Sequence, residues 1–110
     1  MDIFEEKQND ISIFKLKGSL DSNTSPGFEE KILAAINDGS NKLVVDFKDV
    51  DYISSAGLRV LNLASKKLKH NEGKIVLCSV EDYIREVFEI AGFDLFLPIV
   101  GSMDDALARM

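Results

Sequence analysis

The stretch VVDFKDVDYISSAGLRVLNLASKKLKH, Val44 to His70, decides how this chain is read. Its first residues are apolar and β-branched, the mark of a buried strand. Its last part carries Gly57, Val60, Leu61, Ala64 and Leu68 on one helical face. Between them stand Ser54 and Ser55, two bare hydroxyls at a strand-to-helix joint. They are candidates for a helix cap, a nucleophile, a phosphate site or a point of modification.

Outward from the joint, the elements alternate. Leu43 to Phe47 reads as a short strand, and Ile75 to Cys78 as another. Ile84, Val87, Phe88 and Ala91 mark a helix that Gly92 stops. Leu95 to Val100 reads as a short strand or an extended segment, interrupted by Pro98. Ser102 and Asp105 frame a last helix through Ala106, Leu107 and Met110. Strands alternating with amphipathic helices predict a parallel sheet covered by helices. Upstream, Ile3 to Glu6 and Ile11 to Leu16 predict an antiparallel hairpin, turned at Gln8-Asn9-Asp10. Ser25 and Pro26 read as N-cap and first position of a helix carrying Phe28, Ile32, Ala35 and Ile36, with Gly39 as its stop. The expected fold is therefore α/β: a single domain over 1–110, with a mixed sheet and helices packed on it. Function belongs at the carboxyl ends of the strands, where Ser54 and Ser55 lie.

Composition bounds the function. The net charge of −6 would repel nucleic acid. No apolar run approaches the roughly 20 residues that span a bilayer. The first residues, Met1-Asp2-Ile3-Phe4-Glu5-Glu6, do not form a signal peptide. The single cysteine, Cys78, makes no internal disulfide and reads as core. A cytoplasmic protein is expected, without membrane or direct nucleic-acid contact. No Cys/His spacing suggests a metal, and no cofactor is expected.

The joint itself can be tested against several chemistries. As a cap, one serine oxygen accepts a first-turn N–H; that accounts for one hydroxyl, not two. A nucleophile elbow needs Gly-x-Ser-x-Gly, but Tyr52 and Ile53 occupy the upstream positions. The only histidine, His70, ends the same helix, roughly 22 Å from Ser55 at 1.5 Å per residue. A catalytic triad cannot close over that distance. No glycine-rich nucleotide loop is present. A phosphoryl group carried on a serine at the helix start is compatible with the dipole, and would act as a binding switch.

Asp46-Phe47-Lys48-Asp49-Val50-Asp51-Tyr52-Ile53-Ser54-Ser55-Ala56-Gly57-Leu58, with Gly18-Ser19-Leu20-Asp21, resembles the paired motifs of STAS domains, specifically the bacterial anti-sigma factor antagonists. The resemblance covers essentially the whole chain. It implies a non-catalytic module of partner switching. Unphosphorylated, such a module binds an anti-sigma factor that is also a serine kinase, and a sigma factor is released. Phosphorylation, on this chain at Ser55, ends the binding, and a serine phosphatase resets it. Ser54 is the expected helix cap, or the two serines exchange roles. The resemblance places the docking surface on Asp21, Ser22, Asn23 and Thr24 together with Ser54, Ala56, Gly57, Leu58 and Arg59.

The chain departs from the best-known family pattern at three positions. Ser54 replaces an Asp, Ala56 a hydroxyl residue and Arg59 a Gly. Arg59, four residues beyond Ser55, is placed to pair with a phosphate there. Asp46, Asp49 and Asp51 read as solvated loop acids. The alternatives are a receiver-like phosphoacceptor that uses such acids with Mg²⁺, and a STAS scaffold that is never phosphorylated. Tyr83 and Phe88 read as packing residues, with an exposed aromatic there marking a contact. Lys66, Lys67, Lys69 and His70 form a basic helix end that complements the dipole.

Overall fold

A computed structural model describes residues 1–110. The elements run β1 (Asp2–Gln8), β2 (Ile11–Leu20), α1 (Ser25–Asn37), β3 (Lys42–Ile53), α2 (Ser55–His70), β4 (Lys74–Cys78), α3 (Asp82–Ile90), a 3₁₀ turn (Phe93–Leu95), β5 (Ile99–Val100) and α4 (Met103–Ala108). The five strands lie in sequence order in one sheet. β1 pairs antiparallel with β2, and each later neighbour is parallel. The mixed sheet and the terminal hairpin expected from the sequence are both present.

Alternation along the strands divides the core between the two faces of the sheet. One face carries Phe14, Leu16, Val45, Phe47 and Leu77, packed against Phe28, Ile32, Leu61, Ala64, Ile84 and Phe88 from α1, α2 and α3. Edge-to-face ring pairs, Phe14 with Phe28 at 6.2 Å and Phe47 with Phe88 at 5.9 Å, tie helices to strands on this side. The other face carries Ile11, Ile13, Val44, Val76 and Cys78 under Ala106 of α4. Cys78 is part of that smaller core, as its apolar strand predicted. Burial, with Asp46 adding to the effect, pushes its thiol pKa up to about 11. Near pH 8, then, only about one thiol in a thousand is thiolate. We expect native protein to resist a thiol-modifying reagent there and denatured protein to react at once; equal rates would show that Cys78 is accessible.

The structure differs from the sequence reading in four local ways. β2 runs on through Gly18 to Leu20 rather than ending at Leu16. β3 extends to Ile53 rather than ending at Phe47, so Asp46, Asp49 and Asp51 sit on a strand and not in a loop. Helix α1 begins at Ser25 itself, with Thr24 in the N-cap position. Leu95 to Val100 is mostly a 3₁₀ turn and coil, with only Ile99 and Val100 pairing.

Candidate functional site

Parallel pairing of β2 with β3 brings two sequence-distant loops to one end of the sheet. Leu20 is opposite Ile53, and the Ser54 N–H donates to the Leu20 carbonyl at 2.9 Å. The turn after β2 and the start of α2 are therefore adjacent, and all nine predicted docking residues belong to these two segments.

The turn is built by its own side chains. The Asp21 carboxylate accepts from the Asn23 and Thr24 N–H groups at 2.9 and 3.1 Å, an Asx turn. Thr24 Oγ1 accepts from the Asp21 N–H and donates to the Ser19 carbonyl. The Thr24 hydroxyl thus secures the turn, and Ser25, buried, leaves its own hydroxyl without a partner. The Asn23 and Thr24 backbone donors hold the Asp21 carboxyl below the usual carboxylate range. A depressed carboxylate stabilises the fold above its unfolded value of about 3.9, and that contribution is lost as pH falls through the lower folded value. A carbon-detected NMR titration of Asp21 should give a midpoint below about 3.9. A midpoint at or above it would mean that the turn bonds do not form in solution.

The two serines of the joint differ. Ser54 occupies the extended N-cap position, as predicted, but its side chain accepts no cap bond; its oxygen is buried without a partner. Ser55 opens α2 and is exposed. Gly57 is buried against the strand ends. A β-carbon there would stand 2.8 Å from Leu20 Cγ and 2.9 Å from Ile53 Cγ1. The bare glycine backbone lets α2 start directly over the β2 and β3 termini. Leu58 is buried behind it, Ala56 is half-buried, and Arg59 is exposed. The first turn of α2 holds no acid, whereas its last turn holds Lys67, Lys69 and His70, so the helix dipole is balanced only at its far end.

Arg59 already has a partner. Its guanidinium bonds the Glu29 carboxylate on α1, which ties together the helices that follow the two loops. The motif reading did not single out Glu29, which lies 30 residues from Arg59 in sequence. Asp51 is exposed, as the sequence reading expects, and also has partners across the sheet. Its carboxylate accepts from the Ser19 hydroxyl at 2.8 Å, and its carbonyl accepts from the Tyr83 hydroxyl at 2.9 Å. β2, β3 and α3 are cross-linked beside the joint. Tyr52 and Tyr83 remain more than half exposed there, while Phe88 is fully buried.

The sequence profile of the STAS domain matches residues 4–106. This chain belongs to the STAS domain family. BtrV of Bordetella bronchiseptica, which bears the name of an anti-sigma factor antagonist, is 37% identical over 108 residues, covering 98% of this chain and 93% of BtrV. The anti-sigma-B factor antagonist of Staphylococcus aureus is 33% identical over 78 residues, 71% of this chain and 72% of that one. Among solved structures, an anti-sigma factor antagonist from Mycobacterium paratuberculosis superposes with a TM-score of 0.90 at 27% identity, covering 98% of this chain and 92% of that one. The STAS assignment agrees with the motif reading and with the sheet order.

Proposed function

We propose that this STAS chain is an anti-sigma factor antagonist that works by partner switching, with Ser55 as its switch. The observation that carries the reading is the exposure of Ser55 at the α2 start, beside the ordered Asp21–Thr24 turn. In the unphosphorylated form the turn and the first residues of α2 dock on an anti-sigma factor that is also a serine kinase, and the sigma factor is freed. Transfer of the ATP γ-phosphoryl to Ser55 Oγ breaks its bond to the β-phosphate oxygen, releases ADP and the hydroxyl proton, and places about −1.5 to −2 charge on the docking face. The complex then separates, and a serine phosphatase hydrolyses the ester. The chain is the substrate and catalyses nothing. ATP and Mg²⁺ belong to the kinase. A phosphate on Ser55 also competes with Glu29 for Arg59, which lies four residues further along α2.

The test uses the native chain and Ser55→Ala, Ser54→Ala and Ser55→Asp variants as baits in lysate of the source cells. The captured proteins are identified by mass and then incubated with ATP. An ATP-binding kinase captured by the native chain, lost with Ser55→Asp, and placing acid-stable phosphate on native and Ser54→Ala protein but not on Ser55→Ala supports the reading. Label that persists in Ser55→Ala and disappears in Ser54→Ala moves the switch to Ser54. An acid-labile acyl phosphate would instead support the receiver-like alternative. Capture of the same partners by every bait, without labelling, would favour a scaffold.

A further inference from the structure

At the end of the sheet opposite Ser55 lies a cleft of about 210 Å³ between the end of α2, the start of β4 and the segment leading into β5. Its charge, its apolar walls and the sheet edge beside it set it apart. Its charged lining consists of Lys69, Lys74 and Arg109, with no acidic residue, in a chain of net charge −6. The Lys74 Nζ donates to the Arg109 carbonyl at 3.0 Å, which holds the lysine at the rim. Its apolar walls are Leu68, Phe96 and Pro98, and Phe96 keeps 42% of its surface exposed.

The sheet edge borders the same cleft. β5 pairs with β4 only at Leu77–Ile99 and Cys78–Val100. The Leu77 N–H donates to the Pro98 carbonyl and the Ser79 N–H to the Val100 carbonyl. The same parity aims the Ile75 N–H and C=O into the cleft. Pro98 has no N–H to give the Ile75 carbonyl, so the ladder stops and leaves backbone polar groups facing the cavity. Backbone groups so placed are met by water or by a ligand; the Ile75 N–H is a donor for an anion, and the Ile75 carbonyl is left to water.

We propose that this cleft binds a small aromatic carboxylate. The cations meet the carboxylate, and the flat faces of Phe96 and Pro98 with Leu68 receive the ring. The volume is below the roughly 300 Å³ at which pockets for larger ligands begin, so a single ring is the fitting size and a nucleotide is too large. The site is independent of the phosphorylation reading, since it shares no residue with the docking loops.

The test is an amide NMR titration of the full chain with benzoate, with acetate and benzyl alcohol as probes lacking the ring and the charge respectively. Saturable shifts centred on Ile75, Val76 and Leu97, with acetate and benzyl alcohol at least about tenfold weaker, support the site. A Lys74→Gln/Arg109→Gln protein with an otherwise unchanged spectrum should bind benzoate at least about tenfold more weakly. Shifts scattered over all the basic side chains, equal response to acetate, or no response to benzoate would overturn it. The three-probe comparison on the native chain decides the matter even where the double variant does not fold.

Discussion

Ser55→Asp is expected to weaken binding to the anti-sigma factor by at least about a hundredfold, or about 2.7 kcal/mol, while leaving the domain as stable as before or slightly more so. The two effects have opposite signs because they act on different states. In the free domain, a carboxylate at position 55 enters the first turn of α2, where no acid now stands. The helix dipole favours it there by about 0.3–1 kcal/mol. In the complex the same carboxylate is an unpaired charge pressed into an interface, and such a charge costs about 2–5 kcal/mol. The cost of the bound state is several times the gain of the free state, so binding is lost without unfolding. Ser55→Ala removes a hydroxyl from an exposed position and should keep most of the affinity. Calorimetric titration against the captured partner, paired with urea unfolding of each variant, measures both signs. Equal affinity of Ser55→Asp and native protein would place position 55 outside the interface.

The second large effect concerns Gly57. Ala is the better helix former by about 1 kcal/mol, so propensity alone would make Gly57→Ala stabilising. Packing opposes it. The added β-carbon would sit 2.8 Å from Leu20 Cγ, a branch point that cannot swing away as a side-chain tip can. Overpacking of this kind costs about 1–3 kcal/mol, so Gly57→Ala should cancel the propensity gain and lose up to about 2 kcal/mol net. Gly57→Val adds a branched side chain in the same place and should lose about 3 kcal/mol or more. Gly27 is the internal control. It lies on α1 with nothing within 4 Å of its missing β-carbon, so Gly27→Ala should gain about 0.5 kcal/mol. Urea midpoints of the three variants test the ordering. A neutral Gly57→Val would mean that α2 does not pack on the strand ends as described. The docking face should suffer along with stability, because Leu20 and Ile53 end the strands from which both loops spring.

The fold was legible wherever one period ruled a segment. Helix α2 and strand β4 show their faces directly, as does the hairpin of β1 and β2. β3 was cut short for a physical reason. Beyond Asp46 it has no β4 partner, and its pairing with β2 shifts twice, between Lys15 and Lys17 and between Gly18 and Ser19. The extra residues are on β3, as in a β-bulge. They space its buried side chains as Phe47, Val50 and Ile53, three apart, which is not the alternation by which a strand is read. The site was legible as a motif but not as a network. Asp21, Ser55 and Gly57 stand in the paired motifs, whereas Glu29, Tyr83 and the use of Asp51 depend on contacts across 30 or more residues. Local spacing carries no trace of such contacts. The Ser25 cap was misplaced because Thr24, also a hydroxyl residue, had stronger partners at Ser19 and Asp21.

The antiparallel first strand has a practical consequence. Asp2 pairs with Lys17, and the Met1 backbone lies 3.4 Å from where a Gly18 side chain would begin, at the same end of the sheet as the proposed switch. Arg109 lies at the opposite end, against Lys74. An affinity tag fused before Met1 would crowd the proposed docking loops and spare the cleft. A tag fused after Met110 would do the reverse. Immobilising the same protein by each end in turn therefore gives two surfaces with different blind sides, and a ligand that binds to only one of them reveals which end it prefers.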